Sequence, residues 1–185
     1  MSIGYTWKND TWEKRYKDVY NDKGNQTSEI SYLWENSTWK EWGKEENLYD
    51  DKGNLIRIII TSYDWEKNTW KEDAKWEYTC DEMGNQILEI LCIGKTEYEK
   101  YEYTYDDIGN QTSCIYYDLK NNTLMKISKE EYIHDLSYSK KDLIAPSDYH
   151  SNNMLTKIRR CSWDGTEWSD FKVNAIYYWS EKTIQ

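Results

Sequence analysis

Phenylalanine occurs once in this chain, at Phe171, and proline once, at Pro146. No stretch approaches the roughly 18 consecutive apolar residues of a membrane-spanning helix, so no membrane insertion is expected. The opening MSIGYTWKND lacks the apolar core of a signal peptide. The four cysteines, Cys80, Cys92, Cys114 and Cys161, show no C-x-x-C spacing and have no histidine cluster beside them. That leaves metal and redox motifs unsupported, and free thiols at strand positions are the simplest reading. A phosphate-binding glycine loop and a dinucleotide fingerprint are both missing, and nothing in the sequence calls for a cofactor or a metal. Basic residues are also in short supply. Lys and Arg total 24 against 34 Asp and Glu, a net charge of -10 that repels phosphate backbones and anionic lipid, so nucleic acid is excluded as a partner class.

What the chain has instead is tryptophan and tyrosine, 11 and 18 residues of its 185. Such rings pack a flat face while a polar tip stays wet, which suits thin sheets and binding surfaces better than a deep apolar core. They are also ordered by an internal repeat. Gly-Asn recurs at Gly24-Asn25, Gly53-Asn54, Gly84-Asn85 and Gly109-Asn110, in the phrases NDKGNQTSEI, YDDKGNLIRI, CDEMGNQILEI and YDDIGNQTSCI. Five residues past each asparagine stands Ile30, Ile59, Ile90 or Ile115. This is the period of a repeat array.

The turn chemistry is legible. In D-x-x-G-N the aspartate opens a type I turn and the glycine takes the left-handed conformation that closes a hairpin with a bulge. Before the turns, Trp76, Tyr78 and Cys80 alternate with Glu77 and Thr79, and Tyr101, Tyr103 and Tyr105 with Glu102 and Thr104. Period two marks strands with one apolar face. After the turns Ile30, Tyr32 and Trp34, or Ile115, Tyr117 and Leu119, are expected to carry the same stripe up the next strand.

At the other end of each strand pair, Trp7 and Trp12, Trp34 and Trp39, Trp65 and Trp70, and Trp163 and Trp168 bracket four polar residues. A four-residue hairpin loop is expected to set each pair face to face as a clasp, worth about 0.5–1.5 kcal/mol beyond burial. Leu119 and Leu124 take these places around KNNT, and a tighter turn at Gly94 replaces the clasp in the third copy. The expected fold class is all-β: a repetitive antiparallel meander of about a dozen strands in one twisted or curved sheet, with almost no helix. One domain spans 1–185, with repeats over about 1–134, an inserted connection or cap at 135–153 and a last hairpin at 154–179. The inward residues of that hairpin are Phe171, Val173, Tyr177 and Trp179, with a slip of phase near Asn174.

The Y-D-x-x-G-N phrase, with Tyr and Ile at flanking strand positions, resembles the YD repeats of the Rhs family, which build extended β-sheet shells around toxin domains. The unit of W-x4-W at Trp65 and Trp70, residues 101–113, and the D-L-S-Y-S-x-x-D-L-I-x-P segment at 135–146 is similar to uncharacterised tandem-repeat proteins exported by Bacteroidetes-type bacteria. The resemblance covers nearly the whole chain and implies secretion or display at the cell surface. The chain opens in mid-pattern, so an export signal is expected on a longer precursor.

Chemistry is less legible. Asp50 with Asp51 and Asp106 with Asp107 offer oxygens to calcium, but the spacing is not that of a calcium loop, and aspartate is the ordinary residue to open such a turn. His134 and His150, with Tyr149, flank the inserted segment without a nucleophile motif. The aromatic rows carry the one functional reading with a mechanism, because indole and phenol faces stack on sugar rings and a ladder of them gains avidity. The candidate binding residues are Trp34, Trp39, Trp65, Trp70, Trp163 and Trp168, and the bland alternative is that the rings pack the sheet itself. The first expectation is therefore a non-catalytic surface protein, not an enzyme, that binds polysaccharide or a surface protein. A structural spacer or shell segment of a larger polypeptide comes second, and a glycan hydrolase last.

Overall fold

A computed structural model describes residues 2–8, 11–139 and 153–175. Twelve strands are present among them: β1 (Ser2–Lys8), β2 (Thr11–Tyr20), β3 (Gln26–Glu35), β4 (Thr38–Tyr49), β5 (Leu55–Asp64), β6 (Thr69–Cys80), β7 (Gln86–Ile93), β8 (Thr96–Tyr105), β9 (Gln111–Lys120), β10 (Thr123–Ser139), β11 (Asn153–Trp163) and β12 (Trp168–Ala175). They follow one another in sequence order as an antiparallel meander in one open sheet, and the described residues include no helix. The chain divides into two compact units, Met1–Tyr78 with Ile90–Glu97, and Thr79–Glu89 with Tyr98–Gln185.

Every Gly-Asn doublet is a chain reversal. The glycine N–H donates to the carbonyl of the residue three before it (Asn21, Asp50, Asp81, Asp106) at 3.0–3.1 Å, while that residue's N–H donates to the asparagine carbonyl at 2.9 Å. The glycines have φ between 82° and 94°, as a hairpin closed by a bulge requires. The opening carboxylate locks the loop. Its Oδ1 accepts the backbone N–H of Asn54, Asn85 or Asn110 at 2.8 Å, and its Oδ2 accepts the side-chain amide of the same asparagine at 2.8–2.9 Å. Successive copies are then stitched together: Tyr49 Oη donates to the Gln26 carbonyl at 2.8 Å, and Tyr105 Oη to the Gln86 carbonyl at 2.9 Å. The tyrosine of each Y-D phrase thus reaches back to the residue after the preceding Gly-Asn.

Two expectations fail at the opposite ends. Trp34 and Trp39 are cross-strand partners, but the loop between them is a two-residue turn, closed by Glu35 and Thr38, with Asn36 and Ser37 at φ 50° and 61°. Asn121 and Asn122 do the same between Leu119 and Leu124. Two consecutive left-handed residues match the strand twist, so this tight turn displaces the longer loop. Trp65 and Trp70, by contrast, are not opposite each other. Trp70 pairs with Tyr63, and Trp65 lies in a four-residue loop.

The continuous stripe also fails. Tyr101 and Tyr103 pair with Tyr116 and Cys114, whereas Ile115 and Tyr117 pair with Glu102 and Lys100. Thr112 is skipped in the register, as are Thr27 and Ile56 in the other copies, and one extra residue turns the following side chains over. A second bulge recurs three residues past the second clasp position, at Arg15, Trp42, Asp73, Ile127 and Phe171. The slip expected near Asn174 therefore falls at Phe171. Residues 135–139, read as part of the inserted connection, continue strand β10, with Asp135 opposite Met154 and Ser139 opposite Asn153. Tyr177 and Trp179 lie outside the described residues, and so does the rest of the connection.

Burial is thin. Among the described residues Cys92, Leu155 and Cys161 are the buried apolar side chains, and most strand positions are half-buried. The clasp face carries instead a ladder of ion pairs that the sequence reading missed. Lys44–Glu46 (2.7 Å), Lys75–Glu77 (3.0 Å) and Lys100–Glu102 (2.6 Å) each stand six and four residues before the turn aspartate, and Lys129–Glu131 (2.6 Å) repeats the pair. Arg57 joins Glu77 and Arg159 joins Glu131 across strands, both at 3.0 Å. Exposed pairs of this kind contribute about 0–1 kcal/mol each.

The turns yield the first prediction. A Cβ on Gly24 meets nothing within 4 Å, so Gly24→Ala isolates the cost of a left-handed backbone at φ 85°. We expect a loss of about 1–2 kcal/mol in urea unfolding. Gly43 sits in a strand where a Cβ would rest 3.7 Å from Ser31 Cβ, and Gly43→Ala should gain about 0.4–1 kcal/mol. Equal effects would refute the turn assignment.

Candidate ligand-binding site

Three of the six candidate tryptophans stand open. Trp34 is 48% exposed, Trp65 47% and Trp70 39%, while Trp39, Trp163 and Trp168 are half-buried. Trp34 and Trp39 meet with ring centroids 5.0 Å apart and planes tilted by 55°. Trp163 and Trp168, cross-strand partners on β11 and β12, meet edge to face at 5.0 Å. In the third copy of the motif both indoles pack on a residue that sequence reasoning passed over: Tyr63 lies edge-on to Trp65 at 4.6 Å and to Trp70 at 5.4 Å. Its hydroxyl donates to Asn68 Oδ1 at 2.6 Å, which ties the loop to the cluster. The loop length decides the partner: with Asp64 paired to Thr69, the residue opposite Trp70 is Tyr63, a shift that the W-x4-W spacing alone does not reveal.

One lysine of the β3–β4 hairpin reaches the Trp65 ring of the next hairpin. Lys40 Nζ stands 4.9 Å from the Trp65 ring centroid and 2.7 Å from Glu35 Oε2. The pattern recurs in the second unit, where Lys100 lies over Tyr117 at 4.9 Å and Lys126 over Trp163 at 5.1 Å. A lysine beside an exposed ring supplies a donor at the edge of an apolar platform.

The rings of the mid-sheet are used differently. In the second unit Tyr101 stacks on Tyr116 at 4.9 Å, Tyr103 donates to Glu89 at 2.8 Å, and Tyr132 donates to Glu130 at 2.8 Å. Burial, reinforced by Glu99 at Tyr101, Glu89 at Tyr103 and Glu130 at Tyr132, raises all three phenols above the usual tyrosine range. Tyr117 is pushed up to about 12 by burial and by its bond to Glu102. Burial likewise pushes the Cys114 thiol up to about 12, with Glu130 and Glu89 adding to it. These groups stay protonated and act as packing and hydrogen-bonding elements.

The four cysteines are free, with Cys92 and Cys161 buried. At the turns, both oxygens of Asp50 and of Asp106 are engaged by Asn54 and Asn110, and no group of three metal-ligating side chains occurs among the described residues. His134 is half-buried and its pKa is lowered by burial, partly countered by Asp106. His150 and Tyr149 lie outside the described residues. Two hollows open beside the turns, one bounded by Asn25, Thr27, Asn47 and Tyr49, the other by Met83, Ile87, Tyr103 and Tyr105. Both are shallow and open to solvent.

No protein-family model matches the chain. No curated protein matches it either. Solved structures do resemble it. A DUF3836 family protein from Bacteroides vulgatus is 13% identical, covers 60% of this chain and 88% of its own, and has a TM-score of 0.34. A protein of unknown function from Bacteroides fragilis is 12% identical over 88% of this chain and 92% of its own, with a TM-score of 0.36. A DUF3836 family protein from Parabacteroides distasonis is 15% identical over 68% and 91%, with a TM-score of 0.29.

The titrating groups predict a two-sided pH profile. Hydrogen bonds from Asn54 hold Asp50 below its ordinary value, and those from Asn85 do the same for Asp81. For Asp106, burial pushes upward but the bonds from Asn110 outweigh it. Lowered carboxylates give stability that is present above the unfolded value near 4 and lost as pH falls through the folded values. Raised phenols give stability that is present below about 10 and lost as pH rises toward the folded values, about 12 for Tyr117. The urea midpoint should be flat from about pH 7 to 9, decline first below about 7 as the half-buried His134 is forced to charge, fall further below about 5 with the carboxylates, and fall again on the alkaline side. Asp106→Asn, which copies the Asn21 of the first turn, should lower the plateau and flatten the acid limb alone. An unchanged acid limb would show that the turn carboxylates are not what titrates.

Proposed function

We propose that this is a non-catalytic tandem β-hairpin protein of the YD-repeat kind, secreted or held at a cell surface, that binds glycan through the tryptophan clusters at its hairpin ends. One observation carries the reading: Trp34, Trp65 and Trp70, 39–48% exposed, gather in ring clusters at adjoining hairpin ends, where Trp34 meets Trp39 and both Trp65 and Trp70 pack on Tyr63. Each of these indoles leaves nearly half of its surface in water and so forfeits about half of the roughly 1.5–3 kcal/mol that full burial of a large apolar side chain contributes, and a sugar ring laid on it would recover that contact. Lys40 over the Trp65 ring and Asn68, bonded to the Tyr63 hydroxyl, offer polar groups to hydroxyls beside that cluster.

A structural role as a spacer or shell segment is the second reading. It draws support from the inter-repeat bonds of Tyr49 and Tyr105 and from the cross-strand pairs of Arg57 with Glu77 and Arg159 with Glu131. Affinity electrophoresis through gels cast with soluble neutral glycans separates the two. Retarded migration is expected, with Trp34→Ala and Trp65→Ala each weakening it roughly tenfold, as central aromatic anchors do. Leu33→Ala, on the same strand as Trp34, equally exposed at 48% and on the other face, should leave migration unchanged. Equal retardation of all three variants, or none for the parent protein, would favour the spacer.

A further inference from the structure

The Gly-Asn turns of the two units differ at one position. The residue before the glycine is Lys23 and Lys52 in the first unit, and Met83 and Ile108 in the second. Met83 is 67% exposed and Ile108 51%. The turn requires neither, because all four glycines share the left-handed backbone and each bonds back to the residue three before it, whichever side chain stands between. Apolar surface has been placed at a turn tip where lysine serves equally well.

In the first unit that lysine has a partner. Lys23 lines the hollow beside its turn, and its Nζ donates to the Asp51 carbonyl of the next turn at 2.7 Å. The corresponding hollow of the second unit lies between the turns that follow Asp81 and Asp106, which Tyr105 ties together through the Gln86 carbonyl. Here Met83 stands in the place of Lys23 and Asp107 in the place of Asp51, and a thioether has no charge to bring to that carbonyl. Met83, Ile87 and the Tyr103 and Tyr105 rings line the hollow, Asp81, Asp106 and Asp107 border it, and none of its lining residues is basic. The asparagine bonds to Asp81 and Asp106 are neutral and leave both carboxylates charged. His134, whose field reaches Asp106, is held neutral at pH 7 by burial. An apolar hollow with an uncompensated negative border is the result.

We infer that this hollow docks a segment of a separate protein in which a lysine stands beside apolar side chains. The ammonium takes at Asp107 the position that Lys23 Nζ takes at Asp51, and the flanking apolar group lies on Met83 and Ile87. Charge complementarity selects the partner, and the net charge of -10 draws it in. The hollow is shallow and open, which suits neighbouring side chains on a protein surface better than a small molecule, whose sites enclose most of the ligand. Methionine, flexible and polarizable, is a side chain that adapts to such a surface. The site shares no residue with the tryptophan clusters and is independent of glycan binding.

Methyl-13C labelling of methionine gives signals for Met1, Met83, Met125 and Met154, and Met83→Leu assigns the one that matters. On titration with the peptide acetyl-Ile-Lys-Leu-Lys-amide, the Met83 signal should shift and saturate at one peptide per protein. Acetyl-Gly-Lys-Gly-Lys-amide, which keeps the charge, and acetyl-Ile-Gln-Leu-Gln-amide, which keeps the apolar groups, should each bind at least roughly tenfold more weakly. Met83→Lys restores the residue of the first two turns, so the turn keeps its fold, and it should weaken binding of the fluorescein-labelled first peptide by roughly tenfold or more in anisotropy titrations. An unmoved Met83 signal, equal affinity for either control peptide, or undiminished binding by Met83→Lys would overturn the inference. A Met83 signal that moves with protein concentration alone would overturn it in favour of a second copy of this chain as the occupant.

Discussion

The carboxylate that opens each turn is the constraint on which the rest depends. Asp50, Asp81 and Asp106 each hold the backbone N–H and the side-chain amide of the asparagine four residues on. That lock fixes where the chain reverses, and the reversal fixes the register of the two strands it joins. Among the described residues so few apolar side chains are buried that packing alone does little to correct a slip. The lock also propagates. With the turns in line, Tyr49 reaches the carbonyl of Gln26 and Tyr105 that of Gln86, so the second copy is held by the first and the fourth by the third. Where the β10–β11 connection departs from the repeat, Asn153 takes up the role of the next turn. Its N–H donates to Asn110 Oδ1 at 2.8 Å and its Oδ1 accepts from Asn110 Nδ2 at 3.1 Å, in a buried pair.

Reversal points, strand number and strand order were readable because turn chemistry is local. A D-x-x-G-N phrase states its own geometry, and four copies of it state a period. Side-chain phase was not readable, because it depends on bulges. The skipped residues, Thr27, Ile56 and Thr112 after the turns and Trp42, Asp73 and Ile127 beyond the clasps, are not marked by any one residue type. A bulge is a property of how two strands fit and leaves no mark in one strand alone. For this reason Tyr103 shares a face with Cys114 rather than with Ile115. The K-x-E pairs were legible and were overlooked. Their offset from the turn aspartate is constant, but lysine and glutamate are so common here that the regularity hides in the composition.

The site was legible in part for the same reason. Indoles five apart announce a hairpin end, yet the spacing alone does not distinguish the two-residue turn at Asn36 and Ser37 from the four-residue loop after Asp64. The difference matters to the rings. The tight turn leaves two indoles to meet each other, and the longer loop frees Trp65 to fold onto Tyr63, so that one hairpin end gathers three rings instead of two. Lys40 then bridges to the neighbouring hairpin through the Trp65 face, at a cation–π distance worth about 0.5–1 kcal/mol when exposed.

The β9–β10 hairpin shows what the fold itself requires at these positions. Leu119 and Leu124 occupy the cross-strand places of the clasp around a two-residue turn of the same kind as that between Trp34 and Trp39, and the strands they join keep the same bulge three residues on. Aliphatic bulk therefore suffices to close a hairpin end. Leucine there is half-buried at 124 and at 119, whereas Trp34 leaves nearly half of a larger apolar surface in water. A residue that the turn does not need, and that exposes more surface than its aliphatic counterpart, is not accounted for by hairpin closure. Its cost is met if something outside the sheet covers the ring, and a flat, hydroxylated, uncharged ligand matches both the indole face and the polar groups beside it.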